Sequence, residues 1–87
     1  MDDLTALSQL EGLADKLGIQ IRYEKIEDEL TGAGGLCRIE GKYVLIIHSK
    51  ATVKEKIQVM TQALRRFDLG DIYVRPAIRE LLEGSEE

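Results

Sequence analysis

Apolar residues along this chain recur at helical spacing, then at every second position, then at helical spacing again. Leu4, Leu7, Leu10, Leu13, Ala14 and Leu17 come three or four apart and draw one stripe on a helix. Asp2 or Asp3 is suited to accept from the free amides of the first turn, Lys16 suits the last turn, and Gly18 can take the left-handed conformation that ends it. Gly12 costs this helix about 1 kcal/mol relative to Ala. Its small size suggests a close approach to the sheet.

The period then changes to two. Ile19, Ile21 and Tyr23 alternate with Gln20, Arg22 and Glu24, which predicts a strand with one buried face. Lys25 to Leu30 is highly charged, and Thr31 to Gly35 is too rich in glycine for a regular element. Leu36–Glu40 and Tyr43–His48 flank Gly41-Lys42, which predicts a hairpin with a type II′ turn. Tyr43 to Ile47 is apolar on both faces, so this strand is expected in the centre of the sheet, or else with one face against a partner.

Thr52 and Glu55 form a capping-box pair, and Val53, Ile57, Met60, Leu64 and Phe67 follow on one helical face. Pro76 suits the first turn of a short last helix, whose apolar edge is Ile78, Leu81 and Leu82. The order is α-β-β-β-α-α, an α+β fold with a three-stranded, at least partly antiparallel sheet. Residues 1–87 are expected to form a single domain with a frayed acidic tail at 84–87. One sheet face packs on the first two helices. Three helices cannot easily cover both faces, so the other is left as an exposed patch or a dimer contact.

Composition narrows the functional classes. Of 87 residues 44% are apolar, enough for a core, and the single cysteine excludes an internal disulfide. The net charge of −4 opposes general binding of nucleic acid, whose affinity rests on neutralising phosphates. The longest apolar run, Tyr43–Ile47, falls far short of the ~20 residues that span a bilayer, and the acidic start MDD lacks the basic opening of a signal peptide. The expectation is a cytoplasmic protein with no membrane association, no metal and no cofactor.

Candidate chemistry is sparse. In the expected register Cys37 lies opposite Ile46, and His48 sits diagonally from it at about 7–8 Å between Cα atoms. A thiolate–imidazolium pair needs hydrogen-bond reach and a third group to orient the base, and the chain has no Asn to offer. Cys37 is therefore expected to be a buried, unreactive apolar residue, and a Cys37-dependent enzyme is the weakest reading. The run from Thr31 to Gly35 precedes a strand, whereas a phosphate loop precedes a helix. Glu27, Asp28 and Glu29 are consecutive and diverge, so they do not converge on a metal. Arg65, Arg66, Arg75 and Arg79 are the one basic concentration, a candidate contact for RNA or another anion. Tyr43, Leu45 and Ile47 are the candidate partner surface.

Two resemblances follow from the residues. Through GGLCRIEGK at 34–42 and DIYVRPAIRELLE at 71–83 the chain resembles a group of small uncharacterised bacterial proteins, a likeness that brings no activity with it. In its order of elements it also resembles the minimal core of ImmA/IrrE-type zinc peptidases, in which a glycine-rich entry to a strand pair precedes a helix bearing H-E-x-x-H. With Thr61 setting the register, Gln62 and Arg66 stand where that family has its zinc-binding histidines, and Ala63 replaces the catalytic Glu. A guanidinium repels zinc and Ala cannot act as a base, so the resemblance implies a related scaffold without the enzyme. The functional expectation is a non-catalytic interaction or regulatory module that self-associates as a homodimer or docks on a protein partner.

Overall fold

The computed structural model describes residues 2–25, 34–70 and 72–84. Its elements are α1 (Asp3–Lys16), β1 (Gln20–Glu24), β2 (Gly34–Ile39), β3 (Lys42–His48), α2 (Val53–Leu64) and α3 (Pro76–Gly84). The charged segment with Glu27, Asp28 and Glu29, and Thr31 to Ala33, lie outside the described residues. No helix among those described is long and apolar enough to cross a membrane.

Helix α1 begins at Asp2, whose carboxylate accepts from the Thr5 amide at 2.8 Å. Those hydrogen bonds hold the Asp2 carboxyl below its ordinary pKa. At the other end Gly18, at φ 79°, donates to Asp15, and Ile19 donates to Ala14 at 2.9 Å. This left-handed exit turns the chain sharply and delivers Ile19 into the core. Leu7, Leu10, Leu13 and Ala14 are buried as the stripe predicts, but Leu4 is 69% exposed. Gly12 does not approach the sheet. It is exposed, and a Cβ placed on it meets nothing within 4 Å.

The sheet is mixed, in the order β1-β3-β2, with β3 central, parallel to β1 and antiparallel to β2. The hairpin loop is Glu40-Gly41, one residue earlier than the expected Gly41-Lys42. Both loop residues have positive φ, 51° and 81°, the combination whose hand matches the twist of the flanking strands. Gly41 takes its conformation freely, whereas Glu40 pays for its own. The pairing therefore slides by two residues, so Leu36 faces Leu45 and Cys37 faces Val44. A slip of two preserves the faces of both strands. It also moves Arg38 from opposite Leu45 to opposite Tyr43, where its guanidinium stacks 5.4 Å from the ring centroid.

Alternation then assigns the faces. Ile21, Tyr23, Leu36, Tyr43, Leu45 and Ile47 point to the helical side. Leu45 and Ile47 are fully buried there against Leu10, Met60 and Leu64. Tyr23, at the rim, is 41% exposed rather than buried; its hydroxyl donates to Glu11 of α1, and Lys56 of α2 lies 5.1 Å from its ring. Helices α1 and α2 pack side by side on this face, and α3 packs on both helices through Ile78 and Leu82.

Helix α2 has the expected capping box, Thr52 with Glu55, with both reciprocal hydrogen bonds formed. It ends at Leu64, one turn before the expected Phe67, and Phe67 instead packs its ring edge-on against Tyr43 at 5.0 Å. The buried side of α2 is Met60, Thr61, Ala63 and Leu64; Ile57, on the predicted core face, is only half-buried. Residues 72–74 form no strand. Val74 is a buried plug ahead of α3.

Candidate interaction surfaces

The candidate partner surface Tyr43, Leu45 and Ile47 lies under the helices, so it does not face a partner. The opposite, open face of the sheet carries Val44 and Ile46 of β3, Cys37 and Ile39 of β2, and Gln20, Arg22 and Glu24 of β1. Ile39 is 44% exposed and Cys37 is exposed, while Val44 is shielded by its flanking strands. Arg22 and Glu24 pair at 2.7 Å at the rim of this face. The apolar part spans four side chains, small beside the ~800 Å² per partner of a stable interface.

The exposure of Cys37 overturns its expected burial. The register that carries Cys37 opposite Val44 also places His48 opposite Glu24, four residues further along β3. At about 3.4 Å per residue the two are roughly 14 Å apart along the strand, beyond any direct proton transfer. His48 accepts from the Lys50 amide at 3.1 Å, an ordinary strand-end contact.

The four arginines do not form one site. The Arg65 side chain donates to the Leu82 carbonyl at 2.7 Å, tying the end of α2 to the last turn of α3, where carbonyls lack helical partners. Arg79 shares that cleft, of about 340 Å³, and meets Glu83 at 3.7 Å. Arg75 lines a different cleft between α1 and α3, and Arg66 lines a third hollow beside β2. Phosphate recognition gains from convergent cations, and here they diverge.

That third hollow is the more informative. It is a groove of about 160 Å³ between β2 and α2, walled by Leu36, Val59 and Ala63, with Gln62 and Arg66 at its mouth and Gly34-Gly35 along its lip. Gln62 and Arg66, singled out by the zinc-peptidase resemblance, thus stand together beside the glycine-rich strand. Beside the groove runs an edge. Ile39 and Lys42 close a two-residue loop as a hydrogen-bonded pair, so the alternation of an antiparallel ladder points the amides and carbonyls of Gly34, Leu36 and Arg38 outward. Gly34 has φ 151°, and a Cβ there falls 2.2 Å from the Ile46 carbonyl oxygen, so only glycine fits. The edge strand GGLCRI carries no Lys or Pro, and its one charge, Arg38, lies on the helical face over Tyr43.

No protein-family model, no curated protein and no solved structure matches the chain.

Proposed function

We propose that this protein is a non-catalytic interaction module that accepts an extended segment of a partner protein as a fourth strand along β2. The observation that carries the reading is the row of outward-pointing amides and carbonyls along β2 directly beside the groove of Leu36, Val59 and Ala63. An added strand takes its main-chain hydrogen bonds from Gly34, Leu36 and Arg38, and its alternate side chains drop into the groove. The missing side chains of Gly34 and Gly35 leave that entry open.

Charge selects the segment. Arg38 and Arg66 flank the site, and neither pairs with an acid among the described residues. A partner strand with an acidic residue is favoured. A second copy of this chain is disfavoured, because a two-fold pairing centred on Leu36 sets the partner's Arg38 opposite Gly34, next to Arg66. Like charges so placed in one groove repel.

Peptides selected from a random displayed library test this. Enriched sequences should alternate apolar and polar positions and carry an acid. Their affinity should fall about tenfold or more on Arg38→Pro, which removes an outward amide but no β2–β3 bond. Arg38→Lys should retain most of it. Enrichment of helical periodicity, or binding indifferent to Arg38→Pro, would overturn the proposal.

A further inference from the structure

The structure assigns a second site, for a small planar aromatic anion, to the cleft between α1 and the segment entering α3. The cleft measures about 290 Å³, close to the lower end of small-ligand sites at ~300 Å³. Four observations converge on it, and none belongs to the β2 groove.

The first is Gly12. Inside a helix glycine sacrifices stability, and here no turn, close approach or positive φ explains it, since a Cβ would stand in open space. What Gly12 does is leave the side of the cleft bare. Gln9, Gly12, Leu13 and Lys16 follow one another on a single face of α1 and all line the cleft. The second is the floor, formed by the buried apolar side chains of Leu13, Val74 and Ile78, to which a ring can add apolar contact.

The third is Tyr73 at the rim, 74% exposed, the most exposed large apolar side chain among the described residues. An aromatic ring left in water beside an apolar floor is placed to stack on a second ring. The fourth is polar. Lys16 and Arg75 both line the cleft and pair with no acid among the described residues. Gln9 lines it as well, and its side-chain carbonyl oxygen is buried without a donor. Two cations ask for an anion. A one- or two-ring aromatic carboxylate meets these demands at once. The site shares no residue with the β2 groove, and it stands or falls independently of the strand-docking reading.

Amide-resolved NMR titration of the full chain with indole-3-acetate tests the assignment, with indole and acetate as the ring-only and charge-only arms. Indole-3-acetate should shift the amides of Gly12, Lys16, Tyr73 and Val74 and saturate. Indole should bind the same residues about tenfold more weakly, and acetate not measurably. Lys16→Ala and Arg75→Ala should weaken indole-3-acetate severalfold and leave indole unchanged. Gly12→Leu fills the cleft from a position where a side chain has room, so it should melt at or above the parent temperature and lose binding. Shifts that map to Cys37, Ile39 and Ile46, or a folded Gly12→Leu that binds like the parent, would refute the site.

Discussion

A glycine in the middle of α1, a tyrosine bridging two layers and a bare thiol on the sheet each make a measurable claim about single side chains. Since nothing lies within 4 Å of a Cβ at Gly12, Gly12→Ala should stabilise the protein by about 0.5–1 kcal/mol through helix propensity. In a domain of this size that raises the melting temperature by about 2–8 °C. Tyr23 is held protonated, well above its ordinary pKa, first by partial burial, then by its hydrogen bond to Glu11 and by that carboxylate's charge. A raised folded-state pKa means the unfolded chain gives up this proton first. Its contribution is therefore complete below pH ~10 and is lost as pH rises further. Tyr23→Phe should flatten the fall in melting temperature above pH 10. An equally steep fall in the variant would assign the alkaline loss to other groups. Cys37, being exposed, should react stoichiometrically with a thiol reagent in the native state, at a rate that His48→Ala leaves unchanged. Its burial was the natural reading of a lone cysteine in an apolar strand. What decides its exposure is that no described helix packs on that face, and strand alternation alone cannot tell which of two faces the helices will choose.

At the scale of elements, most of the fold was legible. The stripe of α1, the capping box of α2, the central place of β3 and the proline-led start of α3 follow from spacing and end chemistry alone. Register and facing were less so. The hairpin loop fell one residue earlier because Glu40 accepts a positive φ, a cost that a residue-by-residue reading would not volunteer. The arginines looked clustered because they lie close in sequence, but turns after α2 and before α3 fan them into three hollows. Helix α2 offers a graded test of the core. Leu64 is fully buried, so Leu64→Ala should cost about 2–5 kcal/mol, and half-buried Ile57→Ala less, at about 1–2 kcal/mol. Gln62→Ala, on the exposed side, should stay within about 0.5 kcal/mol by denaturant melts. On β2, Gly34→Ala should unfold the hairpin outright while Gly35→Ala, with open space around it, should not. Equal tolerance at both glycines would contradict the backbone contact at Ile46.

For the molecule as a whole, the small apolar area of the open sheet face and the repulsion expected between paired β2 strands both favour a monomer at micromolar concentration. Light scattering should return a single-chain mass. A dimer that Arg38→Glu strengthens would instead point to self-pairing along β2, because the substitution removes the repulsion. The strand order β1-β3-β2 has a further consequence, in time rather than space. Strands β2 and β3 are joined by two residues and can close as a hairpin in about 1–10 μs, whereas β1 pairs only with β3, across everything that separates them in the chain. The hairpin with α2 is then the natural nucleus, and β1 with α1 docks late. Gly41→Ala should slow refolding, and Ile21→Ala should chiefly speed unfolding. Made first on the ribosome and paired last, β1 spends the synthesis of the whole hairpin without a neighbour, and the alternating charges of Arg22 and Glu24 help keep that waiting strand from finding a wrong one.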